Sequence, residues 1–290
     1  MSLTDADVYL LAKKAAQLRK DIVTMLYQAG SGHPGGALSA IDILVVLHYK
    51  IMRFNKEMLG DEQRDRFILS KGHACPALYA VLADLGFFSR KCLFRLRRLT
   101  GFLQGHPDRN TTPGIEVSTG SLGQGLSMAQ GKALALRLKK LYDPRVYCMV
   151  GDGEIQEGQI WEAAMGAAHH KLDNLILFID NNGLQIDGPV EEIKSIYPIA
   201  CKMMAFGWHV QTIDGHDYNQ IYRAVQRALA NRGNPSCIIA RTIKGKGVSF
   251  MENNLRFHGV APNEAEKEKA LAELNAQIEK IEREAAGHGR

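Results

Sequence analysis

The chain has 290 residues, 46% hydrophobic and 23% charged, enough to bury one large α/β core or two small ones. Its net charge of +5 suits phosphorylated ligands and is too small to argue for nucleic acid. No apolar run reaches the roughly 18 residues of a membrane span, and Met1 leads into Ser2-Leu3-Thr4-Asp5 rather than a secretory signal, so no membrane is expected and the chain reads as cytoplasmic.

Thr4-Asp5-Ala6-Asp7 is a helix-capping sequence. Val8, Leu11, Ala15, Leu18, Ile22 and Leu26 then share one helical face, which predicts a helix over residues 5–28. Gly30-Ser31-Gly32-His33-Pro34-Gly35-Gly36 reads as a loop, with a second helix over about 40–52. Residues 66–69 read as a short strand leading into Ser70-Lys71-Gly72-His73. Arg90, Lys91, Arg95, Arg97 and Arg98 cluster, but Leu93, Leu96 and Leu99 run through them at helical spacing, so a solvated helix face is the better reading than a binding patch. Residues 145–150 form an apolar strand ended by Gly151-Asp152-Gly153; 157–171 have helical periodicity, and 175–179 are again a buried strand. A strand at 209–213, a helix around 218–230 and a strand at 237–240 repeat the alternation. From Asn263 the composition turns to Ala, Glu and Lys, a surface helix that frays near Gly287.

Such alternation predicts a doubly wound, mostly parallel sheet with helices on both faces. No internal repeat or linker divides it: one domain over residues 1–262 carries a helical tail over 263–290. The five cysteines are odd in number, scattered and never in C-x-x-C pairs, which favours buried thiols over disulfides or zinc.

Gly151-Asp152-Gly153-Glu154 follows one strand and Asp180-Asn181-Asn182 ends the next, separated by the length one crossover needs. Both motifs then sit at carboxyl ends of neighbouring parallel strands, where open α/β sheets bind ligands. The glycines let backbone approach a phosphate, and the following helix offers free N–H groups and the positive end of its dipole. Asp152 supplies a carboxylate oxygen and Asn182 an amide oxygen, hard donors for Mg²⁺ bridged to a diphosphate. G-D-G alone is a common tight turn; the correctly spaced pair is far more specific.

The pair resembles the thiamine diphosphate fingerprint of transketolases, 2-oxo acid dehydrogenase α subunits and deoxyxylulose-phosphate synthases. Ser31-Gly32-His33-Pro34-Gly35, Ser70-Lys71-Gly72-His73, Gly105-His106-Pro107, Thr119-Gly120-Ser121-Leu122-Gly123-Gln124-Gly125 and Phe257-His258-Gly259 resemble transketolase segments in the same order. The resemblance covers nearly all of residues 5–262. It implies thiamine diphosphate with Mg²⁺ (or Ca²⁺ or Mn²⁺ in its place). It further implies that Asp152, Asn182 and the carbonyl of Leu184 hold the metal, and that His73, Gly153 and His258 contact the diphosphate. Gly120 and Leu122 would line the thiazolium and pyrimidine region, while His33, His106 and His258 face the reacting oxygens of the sugar. Glu157 matches a glutamate that ties the two halves of the site across an interface. Asn181 and Gly183 depart from frequent family residues at positions that are not metal ligands, and Ser121 stands where Pro is frequent, a difference that bears on the local loop conformation. His48, His169, His170 and His216 lack such support and read as ordinary loop or helix residues.

The resemblance implies transfer of a two-carbon ketol unit from a ketose phosphate to an aldose phosphate, as in the pentose phosphate pathway. The activating glutamate and the phosphate-binding arginines of transketolases belong to a second, pyrimidine-binding domain, and the 28 residues from 263 to 290 are too few to form one. A split enzyme is therefore expected, in which a pyrimidine-binding C-terminal transketolase chain pairs with this one as an α₂β₂ assembly; a fragment of a longer enzyme is the other reading. A deoxyxylulose-phosphate synthase relative (Lys244-Gly245-Lys246-Gly247 has that flavour), a dehydrogenase α subunit and a non-catalytic relative are the competitors.

Overall fold

Five parallel strands carry the molecule, a computed structural model that describes residues 2–288. They are β1 (Arg66–Leu69), β2 (Val146–Gly151), β3 (Leu175–Asn181), β6 (His209–Asp214) and β7 (Ser236–Arg241), in the spatial order β1-β2-β3-β7-β6. A short antiparallel ladder, β4 (Leu184–Gln185) with β5 (Gly188–Pro189), decorates the loop after β3. Side chains alternate across the sheet as the pleat requires. Phe67, Leu69, Tyr147, Met149, Ile176, Phe178, Ile238 and Ala240 enter one core. Ile68, Val146, Cys148, Val150, Leu177, Ile179 and Ile239 enter the other. The first core is closed by α1 (Asp5–Ala29), α2 (Pro34–Val46), α3 (Cys75–Asp84), α8 (Tyr218–Ala230) and α9 (Glu264–His288). The second is closed by α4 (Gln124–Leu138), α5 (Gly158–His169) and α7 (Ile199–Ala205); α6 (Val190–Lys194) is a single turn. The predicted doubly wound α/β class is what the chain adopts.

α1 starts where its capping box places it: Thr4 accepts from the Asp7 N–H, and the Asp7 carboxylate accepts from the Thr4 N–H. α2 starts earlier than predicted, because Pro34 is preorganised for the first turn and Gly35 and Gly36 belong to the helix. Those glycines serve close packing: a Cβ on Gly35 would stand 2.9 Å from Lys244 Cγ and 3.0 Å from the Phe257 carbonyl. Every residue of α2 is buried, and a π-helical turn, Leu47–Ile51, extends it. Residues 34–51 are long and apolar enough to cross a membrane, contrary to the expectation from sequence, but 83% of the stretch is buried inside the protein. The basic cluster is not a helix face: Arg90, Lys91 and Arg95 lie in a 3₁₀ turn, Arg90–Arg95, and Arg97 and Arg98 in the loop after it, with Leu93 and Leu96 buried and Leu99 fully exposed. The sequence reading missed α3 and α4. The tail helix α9 packs Ala270 and Leu274 into the core shared with α1, and it continues helical through Gly287, where fraying was expected.

Candidate functional site

Successive connections carry the chain from β1 through β2 to β3, then to the far edge at β6 and back to β7. The direction reverses between β3 and β7, the place where doubly wound sheets open a crevice at their carboxyl edge. β2 and β3 end in register, Gly151 opposite Asp180 and Asp180 opposite Ala240. Beyond them lies a cavity of about 320 Å³. Every residue singled out from the sequence lines it: His33, His73, His106 and His258; Gly120 and Leu122 before α4; Asp152, Gly153 and Glu157 after β2; Asn182 and Leu184 after β3. A larger surface groove of about 500 Å³ between α1 and α9 contains none of them.

The four histidines come from four separated segments. His33 is the N-cap of α2, and His73 lies in a 3₁₀ turn, Gly72–Ala74, leading into α3. The rings of His33 and His73 are 5.2 Å apart, His73 stacks on His258 at 5.5 Å, and His33 meets His258 edge-on at 5.8 Å. Gly120, with φ 149°, lets the loop before α4 pass His106: a Cβ there would stand 3.1 Å from its Cγ. Burial acts first in pushing all four rings below the ordinary histidine range. His33 is held at about 4, with Arg97, His106 and Lys244 adding to burial. His258 is held at about 3, chiefly by burial and then Lys244. His73 goes well down through burial and Lys71, and His106 goes down through burial and Arg97. Among the described residues, Nδ1 of His33 and of His258 is buried with no hydrogen-bond partner, so none of them fixes either tautomer at that nitrogen. Four imidazoles kept neutral each present one donor and one acceptor nitrogen to a ligand in the cavity.

Asp152 is 1% exposed. Its carboxylate accepts from the Gly153 N–H (2.8 Å), Asn181 Nδ2 (2.9 Å) and the Gly183 N–H (2.5 Å), yet burial still pushes its pKa upward. A cation bound beside the carboxylate would offset that burial. Asn182 Oδ1 accepts from the Leu184 N–H (3.2 Å), and the Leu184 carbonyl already faces a cation, the Lys244 ammonium at 3.2 Å. Among the described residues no cluster of three or more His, Cys, Asp or Glu could hold a metal. The donors here are one carboxylate, one amide and one carbonyl, which fit a hard divalent cation that takes its remaining oxygens from a ligand and water.

Several residues to which the sequence reading gave no role shape this cavity. Lys71 is fully buried and ion-paired with Asp180, which also accepts from Ser39 Oγ (2.7 Å) and Thr242. Burial pushes Asp180 up, and Lys71 with these donors outweighs it, so its pKa is lowered. Lys244, after β7, is pushed down to about 8 by burial and by Lys71. Glu154 accepts from Ser70 and from the Gly123 (2.9 Å) and Gly151 (3.0 Å) N–H groups, tying three loops together. Lys71 lay inside the Ser-Lys-Gly-His segment and Lys244 inside Lys-Gly-Lys-Gly, so the signal was present without its pairing. His48 is buried between Phe54 and Phe67, and His169 and His170 are exposed, all outside the cavity. His216 is more than a turn residue: its Nδ1 meets Asp42 (2.7 Å) and its Nε2 accepts the Ile243 N–H (2.9 Å), latching the loop that carries Lys244.

Residues 11–280 match the family described as transketolase, thiamine diphosphate binding domain. The chain is 45% identical over 267 residues to a 6-deoxy-6-sulfo-D-fructose transketolase subunit of Clostridium sp. (strain MSTE9), covering 92% of this chain and 97% of that one. It is 40% identical over 280 residues to an apulose-4-phosphate transketolase subunit of Phocaeicola vulgatus, covering 97% and 99%. The crystal structure of transketolase from Campylobacter jejuni superposes with a TM-score of 0.85 at 34% identity, over 94% of this chain and 45% of that one, so the chain spans less than half the length of that enzyme.

Proposed function

The chain belongs to the transketolase family and carries its thiamine diphosphate-binding domain, and from this we propose that it is the cofactor-binding subunit of a two-chain transketolase. The observation that carries the reading is the convergence of all eleven sequence-marked residues on one cavity at the switch point of the sheet. Relatives of nearly equal length are themselves named as subunits, which supports a partner chain; in this proposal the partner is pyrimidine-binding and the assembly α₂β₂. Glu157 and Leu122, exposed at the cavity rim, are the contacts we assign to that partner.

When bound, thiamine diphosphate supplies the nucleophile and electron sink for cleaving and forming the carbon–carbon bond. Asp152, Asn182 and the Leu184 carbonyl hold its divalent cation, Mg²⁺ or Ca²⁺ or Mn²⁺ in its place. Gly153 gives close backbone approach, and His73, His258 and Lys244 surround the diphosphate with donors. Gly120 and Leu122 line the ring region. His33, His106 and His258, kept neutral, take and return protons at the sugar hydroxyls, a contribution of about 10²–10⁴-fold. Thiols at all five cysteines suit a reducing, cytoplasmic compartment. The substrates are a ketose phosphate donor and an aldose phosphate acceptor, of the pentose phosphate type.

The test is ketol transfer from xylulose 5-phosphate to ribose 5-phosphate with thiamine diphosphate and Mg²⁺, using this chain alone and mixed with a pyrimidine-binding subunit. Activity confined to the mixture supports the reading, and full activity of the chain alone overturns the partner. If the mixture transfers ketol units only from a sulfonated or branched sugar, the subunit role stands and the pentose phosphate assignment falls.

A further inference from the structure

Behind the cavity rim, the loop after the Arg90–Arg95 turn folds back on itself. Leu96 and Leu103 are buried, and the Arg97 N–H donates to the Leu103 carbonyl at 3.0 Å. Arg97 has a left-handed backbone, φ 58°, which a residue with a Cβ adopts only at a cost. In that conformation its guanidinium lies against Gly105, the residue before His106. A Cβ on Gly105 would stand 2.7 Å from Arg97 Cζ and 2.9 Å from Nε, so the guanidinium occupies the space of the missing side chain. Its Nη2 also donates to the Gly105 carbonyl at 3.4 Å. Gly32, the residue before His33, is also close: a Cβ there would stand 3.8 Å from Arg97 Nε. Neighbouring Arg90 pairs with Asp21 and Asp84, whereas among the described residues no carboxylate lies within 4.0 Å of the Arg97 guanidinium.

We infer that Arg97 is a positioning residue for His33 and His106, its guanidinium bridging the two Gly–His turns and setting a permanent positive charge beside both rings. Arginine suits the task because its planar guanidinium stays charged and is weakly hydrated. The charge adds to burial in keeping both rings unprotonated, His33 at about 4. His33 also faces Lys244, His106 and the rings of His73 and His258, whereas the charge that acts on His106 is that of Arg97.

The inference rests on the histidine roles proposed above, but its test does not need activity. Imidazole titrations of His33 and His106 are followed by NMR in the full chain, with exposed His169 as reference. In Arg97→Gln both midpoints move to higher pH while His169 stays, and Arg97→Lys, which keeps the charge, restores most of the difference. Gly105→Ala, which pushes the guanidinium aside without removing it, moves His106 in the same direction. In the reconstituted enzyme the acid limb of the kcat/KM profile moves up in Arg97→Gln. Unmoved midpoints in Arg97→Gln, or equal displacement of His169, overturn the inference, whatever the ketol-transfer assay shows.

Discussion

Asp152 illustrates how a single carboxylate can be both structural and poised for a cation. Three N–H donors hold it, and burial still raises its pKa, so the anion gains from a positive partner. We expect Asp152→Ala to abolish Mg²⁺-dependent binding of thiamine diphosphate, read by calorimetry. Retention of metal-dependent binding in that variant would move the cation site elsewhere. His48 makes the complementary case for stability. It is 5% exposed and held at about 4 by burial, against an ordinary value of 6.5. Between those values the unfolded chain binds more protons than the folded one, so stability is full above about pH 6.5 and falls as pH drops toward 4. The shift corresponds to about 3 kcal/mol across that window. In His48→Phe, which sits among Phe54 and Phe67, the urea midpoint should fall less between pH 6.5 and 4 than in the parent; an unchanged pH profile would contradict the burial argument. At this scale the sequence showed the chemistry-bearing residues well, because each sits in a short glycine-bounded segment. It hid the Lys71–Asp180 pair, whose members are 109 positions apart and meet only through the fold.

β2, β3 and β7 were legible because each holds an apolar run, and the predicted 175–179 and 237–240 runs lie inside β3 and β7, whereas the edge strand β6 mixes polar and apolar residues. Helices were less so: α5 was legible despite Gly158 and Gly166, α3 was missed although it holds no glycine, and in α2 and α4 glycine blurred the pattern. α2 begins with Pro34-Gly35-Gly36, and α4 contains Gly125 and Gly131, residues that weaken a helix signal. Packing explains one of the α4 glycines and leaves the other free. A Cβ on Gly125 would stand 2.4 Å from Ser70 Cβ and 2.6 Å from its Cα, backbone that cannot yield, whereas Gly131 has nothing within 4 Å. Gly125→Ala should therefore destabilise by about 1–3 kcal/mol and loosen the Ser70–Glu154 contact. Gly131→Ala should stabilise by about 0.5–1 kcal/mol. Chemical denaturation of the two variants checks the contrast, and equal effects would remove the packing account of Gly125.

For the molecule as a whole, the doubly wound class and its ligand-binding edge followed from the alternation of elements and the spacing of two motifs, whereas the seating of α9 on α1 depends on surfaces that no local pattern marks. The cavity itself is open on one side: Ile186 is 67% exposed and Leu122 38% exposed at its rim, and Glu157 stands beside them. An apolar, half-open rim binds a charged cofactor less firmly than a closed one, because water competes for every polar contact. If the proposed partner closes that rim, cofactor and partner must help each other by the same factor, since their coupling is a single free energy. We expect thiamine diphosphate with Mg²⁺ to bind the assembled complex at least about tenfold more tightly than this chain alone, a coupling of about 1.4 kcal/mol. Partner affinity should then rise by the same factor when the cofactor is present. Calorimetry of the cofactor with and without the partner, and of the partner with and without the cofactor, gives both arms. Equal cofactor affinity in the two states would mean that this chain completes the cofactor site unaided and that the partner acts on substrate only.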